Sequence, residues 1–215
     1  MIDIITTDID GILTDLYRHQ IWMVEHYYKS KGKEVPKIKN PKAYDIAEIF
    51  EISKNRRNII WLENYKYYRL YCEARKESFE TLKYWQERGK KIGFISAPAF
   101  ATTPLLGPKV IKWIQEWQNL YDFVPDEVIW CPEKESGLAK AIACKELKSE
   151  LMIEDKADNL DFTLEVCDSI ALSTPYNLGY QPENKPFDFY MKENWSEIRS
   201  TVDELDSKPR RLKNV

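Results

Sequence analysis

The chain has 215 residues, a length typical of one domain with room for an inserted subdomain. Hydrophobic residues make up 43% and charged residues 31%, which is ordinary for a protein that buries one sizeable core. The 32 Lys and Arg residues are balanced by 35 Asp and Glu, so the composition disfavours nucleic acid as a partner. The sequence shows neither an apolar run of about 18 residues nor an apolar leader, so we expect a cytoplasmic protein without a membrane partner.

Three scarce residue types narrow the chemistry. The seven glycines never have the spacing of a dinucleotide-binding fingerprint or of a P-loop. The two histidines, His19 and His26, exclude an HExxH metal site, and the four cysteines contain no CxxC pair and are predicted to be reduced. Any metal must therefore be held by carboxylates, which favours Mg²⁺ over zinc.

The first part of the chain predicts one strand followed by helices. A β-branched run over 2–7 predicts a buried strand that ends in the turn Asp-Ile-Asp-Gly. A helical pattern over 16–31 is followed by a basic loop at 32–43 with two prolines. Further helices are predicted near 44–52 and 57–71, and the second of these is dense in aromatic residues.

The rest of the chain predicts strands and helices in alternation. In chain order they are a helix at 77–88, a strand at 91–96, a helix from Pro108, a strand at 127–131, a helix at 136–147, a strand at 151–153, a helix at about 158–166, a strand at 169–172 and a helix near 193–206. A loop rich in proline and asparagine is expected before the last helix.

This alternation predicts an α/β fold, a Rossmann-like parallel sheet covered by helices on both faces. The helical block after the first strand is expected to be an insertion. The predicted domains are a core made of residues 1–15 and 77–215 and a small helical cap made of residues 16–76.

Polar side chains follow several of the predicted strands at their carboxyl ends, where open parallel sheets bind ligands. They are Asp8, Asp10, Ser96, Lys134, Glu154 and Asp155. Each alone has an ordinary structural explanation, such as a turn, a solvated surface or a helix cap. Together, four carboxylates at one edge are costly unless a cation bridges them, and hard oxygen ligands are typical of Mg²⁺. Their joint occurrence in this order therefore predicts a catalytic magnesium site.

Three segments resemble motifs of the haloacid dehalogenase superfamily of hydrolases. DIDGILTD at 8–15 is similar to the first motif, IGFIS at 92–96 to the second and MIED at 152–155 to the fourth. The resemblance covers essentially the whole core and implies phosphoryl transfer to an aspartate. It implies Asp8 as the nucleophile, which forms an aspartyl-phosphate, and Asp10 as general acid and then general base.

The same resemblance implies the ligands of the metal and of the phosphate. Magnesium would be held by Asp8, the backbone carbonyl of Asp10 and Asp155, with Glu154 or Asp158 acting through water. The phosphoryl oxygens would be held by Ser96 and a lysine. Lys134 is favoured for that lysine because it directly follows a strand and precedes a helix, whereas Lys140 and Lys145, which lie on that helix, are the alternatives.

A narrower resemblance is to the 5′(3′)-deoxyribonucleotidases and their bacterial and phage relatives. The segment SAP at 96–98, followed by Lys109 and Trp113, is similar to their Thr-Ser-Pro segment, and the helical insertion falls where they carry a cap. The resemblance implies a (deoxy)nucleoside monophosphate as substrate. Leu16 departs from it, since the mammalian-type enzymes have a base-contacting Phe there.

Selectivity for the substrate is therefore expected to come from aromatic residues of the cap. Trp61 and Tyr65 are four residues apart on one predicted helix and are the best candidates for ring contacts. Their alternative role is packing the cap against the core. Two other functions stay open, a phosphatase for another ester such as a sugar phosphate or a polynucleotide 3′-phosphate, and a non-catalytic binding module. A homodimer is also left open.

Overall fold

A computed structural model describes residues 2–207 of the chain, so the end of the predicted core, residues 208–215, lies outside the described residues. The elements in chain order are β1 (Ile4–Thr7), α1 (Leu16–Ser30), α2 (Ile46–Ile49), α3 (Lys54–Tyr71), α4 (Ser78–Glu87), β2 (Lys91–Ser96), α5 (Gly107–Asn119), β3 (Glu127–Trp130), α6 (Ser136–Leu147), β4 (Leu151–Glu154), α7 (Ala157–Thr163), β5 (Asp168–Leu172), β6 (Phe189–Lys192) and α8 (Trp195–Ser207). The predicted α/β fold is confirmed.

The strands form one sheet in the order β3-β2-β1-β4-β5-β6, and every neighbouring pair is parallel. The strand order reverses beside β1, which lies between β2 and β4. Ligands of doubly wound sheets bind at such a reversal, outside the carboxyl ends of the strands. The topology therefore places the residues that follow β1, β2 and β4 at one edge.

Helices cover the sheet through separate hydrophobic clusters. One cluster joins β1 and β2 to apolar residues of α4, α5 and α8, among them Trp85, Trp117 and Trp195. A second cluster joins Met152 of β4 to Cys144 of α6. Parallel strands buried in this way are continuously apolar, which is why the short runs at 92–95 and 151–153 could be recognised as strands.

The inserted helices, α1 to α3, have a small hydrophobic cluster of their own. It contains Met23 and Val24 of α1, Ile46 and Ile49 of α2, and Ile60 of α3, all with no exposed surface. A block that packs around its own buried residues can lie over the sheet edge as a unit. Among residues 2–207, no helix is both long and apolar enough to cross a lipid bilayer.

Some of the observed elements differ from the predicted ones for local reasons. The helix expected over 44–52 is only Ile46–Ile49, because Asp45 caps its start by accepting from the Ala47 N–H and Glu51 follows with a positive φ. The next helix begins early, at Lys54, because Ser53 caps it. The strand Phe189–Lys192 falls where a loop was expected, since four half-buried residues at a sheet edge carry too little pattern to predict.

Candidate active site

The carboxyl ends of three neighbouring strands bring the predicted polar residues together. Asp8 directly follows β1, Ser96 is the last residue of β2 and Glu154 is the last residue of β4. All three side chains are buried, with exposed fractions of 6%, 0% and 0%. Buried polar groups need hydrogen-bonding partners. Ser96 bonds to Asp8 directly, and Lys140 connects Asp8 to Glu154.

The Asp8 carboxylate is held on both of its oxygens. Oδ1 accepts a hydrogen bond from the Ser96 Oγ at 2.5 Å and one from the Ile9 backbone N–H at 2.7 Å. Oδ2 forms an ion pair with the Nζ of Lys140. Burial, outweighing the nearby Lys140 charge, raises the pKa of Asp8 to about 6. The carboxylate is therefore fixed in orientation, and its charged form gains from any further cation.

Lys140 is the buried cation of the site, with 1% of its side chain exposed. Its Nζ lies between Asp8 and the Oε2 of Glu154, at 2.6 Å from the latter. Burial alone would lower the pKa of Lys140, but the two carboxylates outweigh it and hold the pKa above the usual value. The Glu154 Oε1 accepts from the backbone N–H groups of Asp155 and Lys156, both at 3.1 Å, so Glu154 positions Lys140.

The prediction that favoured Lys134 is not supported by the structure. Lys134 lies in the turn before α6 with 91% of its side chain exposed, and its nearest acidic partner is the adjacent Glu135 at 4.0 Å. Lys140 instead lies on the buried face of α6, in the repeat Gly137, Lys140, Ala141 and Cys144. A lysine on an apolar helical stripe was the signal that could have identified it.

A pair of lysine variants should separate these two positions in a stability measurement. Lys140→Met leaves the buried Asp8 and Glu154 without their cation, so we expect the free energy of unfolding to fall by about 3–5 kcal/mol. Lys134→Met, at an exposed site, is the matched control and should change it by less than about 0.5 kcal/mol. Denaturant titration measures both, and equal effects would contradict the assignment of Lys140.

Asp10 faces away from this cluster, toward α3 of the inserted helices. Its carboxylate accepts two hydrogen bonds from the buried Arg69 guanidinium, at 2.5 and 2.8 Å, and one from the Tyr68 hydroxyl at 2.7 Å. Burial raises the pKa of Asp10, but Arg69 and Tyr68 outweigh it, and the net pKa lies below the usual value. Sequence reasoning missed both partners, because nothing in the pattern of α3 indicates which of its polar residues reach the sheet.

Asp155 lies against the turn that carries Asp10. Its Oδ2 accepts from the Tyr176 hydroxyl, and its backbone carbonyl accepts from the Asn177 Nδ2 at 2.7 Å. Gly11 has a φ of +84°, and a Cβ there would lie 1.8 Å from that Oδ2, so only glycine allows this approach. Burial, followed by the charges of Glu154 and Asp8, raises the pKa of Asp155 well above its usual value.

These carboxylates fit a divalent cation. Asp8, Glu154 and Asp155 each offer an oxygen, and the three oxygens lie within 4.8 Å of one another. One ammonium, that of Lys140, cannot balance three buried carboxylates, and a hard cation would supply the missing charge. Because the Asp10 carboxylate is already bonded to Arg69, the group of Asp10 that remains for coordinating a cation is its backbone carbonyl. Asp158 has 81% of its side chain exposed and pairs with Lys156, so it lies outside the cluster.

A cavity of about 550 Å³ lies between this sheet edge and the inserted helices. From the sheet edge it is lined by Asp8, Asp10, Ser96 and Lys140. From the inserted helices it is lined by Leu16, Gln20, Arg57, Asn58, Trp61, Leu62, Tyr65 and Arg69. Asp8, from the acidic cluster, and the inserted helices thus face a shared space large enough for a small organic ligand.

The two aromatic candidates both line this cavity. The ring centroids of Trp61 and Tyr65 are 6.1 Å apart in an edge-on arrangement. The Tyr65 hydroxyl donates to the backbone carbonyl of Ala99, and the residue is 6% exposed, so Tyr65 also ties α3 to the core. Trp61 is half-buried, which leaves part of its ring toward the cavity.

Comparison with known proteins identifies the fold but no close relative. The sequence matches no protein-family model and no curated protein. Among solved structures, it is similar to the Protein Tyrosine Kinase A of Mycobacterium tuberculosis, with a TM-score of 0.64, 13% identity and coverage of 94% of this chain and 98% of that one. It is also similar to a predicted phosphatase from Clostridium acetobutylicum, with a TM-score of 0.55, 13% identity and coverage of 95% and 99%.

An L-2-haloacid dehalogenase is similar as well, with a TM-score of 0.56, 12% identity and coverage of 94% of this chain and 99% of that one. At these identities the likeness establishes the fold. The chain therefore has a Rossmann-like α/β fold similar to that of this dehalogenase, with a buried acidic cluster at the carboxyl edge of its sheet.

Proposed function

We propose that this protein is a magnesium-dependent phosphatase that hydrolyses (deoxy)nucleoside monophosphates through an aspartyl-phosphate, with residues 16–76 as the cap over its site. The observation that carries the proposal is the environment of Asp8. Its carboxylate is oriented by Ser96 and Lys140, lies beside two further carboxylates and lines the cavity under the cap. An oriented carboxylate next to a cationic site is what nucleophilic attack on a phosphate ester requires.

In the first step, an Asp8 oxygen attacks phosphorus and the bond from phosphorus to the ester oxygen breaks. The electron pair of that bond goes to the leaving oxygen, which takes a proton from Asp10. Ser96 and Lys140, which already contact Asp8, would donate hydrogen bonds to the phosphoryl oxygens during the transfer to Asp8. Asp10 must carry this proton when the substrate binds, taken from solvent in the first turnover and from the attacking water of the preceding one afterwards, so its two bonds with Arg69 must loosen.

In the second step, water attacks phosphorus and the bond between phosphorus and Asp8 breaks, which releases phosphate. Asp10 takes the proton of the attacking water. The ionised form of Asp10 that this step needs is the form favoured by Arg69 and Tyr68, which keep the pKa of Asp10 low. The contacts of the structure thus suit Asp10 to its role as general base.

Asp8, Glu154, Asp155 and the main-chain carbonyl of Asp10 would hold the magnesium ion. When bound, the ion offsets the negative charge that gathers where a phosphate meets the Asp8 carboxylate. The raised pKa values of Asp8 and Asp155 fit this role, because a cation there would restore both groups to their charged forms.

The cap supports a nucleotide over a simpler phosphate ester. Asp8, Asp10, Ser96 and Lys140 would serve the phosphoryl group and the cation, so we expect selectivity to come from other residues of the cavity, above all from the wall formed by the inserted helices. That wall combines the half-buried Trp61 with apolar Leu16 and Leu62. Stacking of a base on an aromatic side chain contributes about 1–3 kcal/mol, enough to favour a nucleotide over a sugar phosphate.

Metal dependence and substrate preference can be tested together. We expect activity on a panel of nucleoside monophosphates to disappear with EDTA and to return with Mg²⁺, because the candidate ligands are all oxygens. Restoration by zinc alone would contradict the carboxylate site. Equal kcat/KM values for nucleotides and for ribose 5-phosphate would replace the nucleotidase by a general phosphatase, and no turnover of any ester would favour a binding module.

A further inference from the structure

Gln20 is a polar side chain of the cap that is buried at the cavity without a complete set of partners. Gln20 lies on α1, one helical turn after Leu16, and both side chains line the cavity that contains Asp8. Gln20 is only 3% exposed, and within residues 2–207 its Oε1 accepts no hydrogen bond and is closed to water. A buried carbonyl oxygen without a donor is unfavourable, so a group that supplies one would be bound preferentially.

The position of Gln20 favours a ligand as the source of that donor. The terminal amide rotates easily about its last bond, and a half-turn exchanges Oε1 and Nε2, so the side chain can turn its oxygen toward the cavity. In this way one amide can accept from a ligand and donate to it at adjacent atoms. The inserted helices also line this cavity with apolar Leu16 and Leu62 and with Trp61, next to polar residues of the same wall, and these three side chains suit a planar ring.

We infer that Gln20 is a specificity-determining residue, which hydrogen-bonds the edge of the nucleobase while Trp61 packs on its face. The inference rests on the proposed nucleotidase function. A base offers neighbouring donor and acceptor atoms on a planar ring, which a single amide can pair with. An aliphatic sugar phosphate offers no flat face for Trp61. The pair would therefore separate nucleotides from other phosphate esters.

A pair of glutamine variants tests the role of Gln20. Gln20→Met keeps the size of the side chain and removes both amide groups. We expect kcat/KM for nucleoside monophosphates to fall by about 5–20-fold more than kcat/KM for p-nitrophenyl phosphate, the scale of one or two neutral hydrogen bonds. Gln118→Met is the matched control, since Gln118 is also buried with an unpartnered amide atom but lies on α5 and does not line this cavity.

The stability of the same variants separates a binding role from a structural one. Gln20→Met removes an unsatisfied oxygen, so its Tm should equal or exceed that of the natural protein. If Gln20→Met lowers Tm and reduces both activities by the same factor, Gln20 is structural and the inference is overturned. The same conclusion follows if Gln20→Met and Gln118→Met give equal activity ratios.

The preference between nucleobases gives a second readout, because a purely structural role of Gln20 would not change it. Gln20→Glu offers acceptors alone when ionised, and guanine carries two neighbouring donors, N1–H and the exocyclic amine. We expect kcat/KM for GMP relative to AMP to rise at least about fivefold in Gln20→Glu, and an unchanged ratio would count against base contact.

The natural protein provides a test that does not depend on how a variant folds. Purine riboside 5′-monophosphate lacks the exocyclic amine of AMP, so it should be hydrolysed less efficiently if the amide of Gln20 accepts from that amine. If the natural protein does not prefer nucleotides to ribose 5-phosphate, the proposed function itself fails. If it prefers them, yet neither Gln20 variant alters the preference and the two purine substrates react equally, only the role of Gln20 fails.

Discussion

Asp8→Asn is expected to abolish turnover of every phosphate ester, because the amide cannot attack phosphorus as the carboxylate does. The loss in kcat should be on the order of 10⁶-fold, the scale for removing a catalytic nucleophile. Capture of labelled phosphate by the protein after rapid acid quenching should disappear with it. Ser96 and Lys140 remain in place in this variant, so the loss reports on the missing nucleophile.

A control variant must show that the loss of one negative charge does not by itself reduce activity. Asp122→Asn makes the same chemical change at an exposed turn, where φ is 46° and asparagine is well tolerated. Its activity should match that of the natural protein. Turnover by Asp8→Asn within a hundredfold of the natural level, or retained phosphate capture, would mean that another group attacks phosphorus.

The sheet could be predicted from the sequence because buried parallel strands carry a strong local signal. Short apolar runs that end in Asp8, Ser96 and Glu154 identify β1, β2 and β4, and parallel geometry then requires their ends to meet. The sequence alone therefore predicts that these residues meet at one edge of the sheet. β6 could not be predicted, because its place in the sheet is set by pairing with β5 and not by its own four residues.

The sequence does not show which of the two lysines, Lys134 or Lys140, contacts Asp8, because this depends on how α6 packs on the sheet. Lys134 lies in the turn between β3 and α6 with its side chain exposed, whereas α6 carries Lys140 on its buried face into contact with Asp8. The close packing of α6 on α7 at Gly137 helps fix this approach, since a Cβ there would lie 2.6 Å from the Phe162 ring. Such a contact joins residues that are distant in the sequence, so the hydrophobic periodicity of α6 cannot predict it.

The Arg69–Asp10 pair is the other feature that the sequence concealed. It links α3 to the turn after β1, 59 residues apart in the chain, and its two hydrogen bonds join a buried guanidinium to a carboxylate that is 16% exposed. Breaking such a pair leaves an uncompensated buried charge, so the pair also holds the cap on the core. The same contact therefore contributes both to the position of α3 over the sheet and to the low pKa of Asp10.

Asp10→Asn is expected to produce a loss that depends on the leaving group. A nucleoside is a poor leaving group and needs a proton, so kcat/KM for nucleoside monophosphates should fall by about 10²–10⁴-fold. p-Nitrophenolate leaves without a proton, so kcat/KM for p-nitrophenyl phosphate should fall much less. The ratio kcat/KM is the right measure because it reports the steps up to phosphoryl transfer, before Asp10 acts as base on water.

Loss of the ion pair has to be separated from loss of the acid, since Asp10→Asn also deprives Arg69 of its charged partner. Arg69→Met removes the guanidinium, keeps the carboxyl group and removes the contact that lowers the pKa of Asp10, so Asp10 stays able to donate a proton and a disturbance of the cap should lower the two activities by similar factors. A leaving-group dependence in Asp10→Asn that is absent in Arg69→Met would identify Asp10 as the proton donor. Equal losses for both substrates in Asp10→Asn would instead show that its carboxylate acts only by anchoring the cap through Arg69.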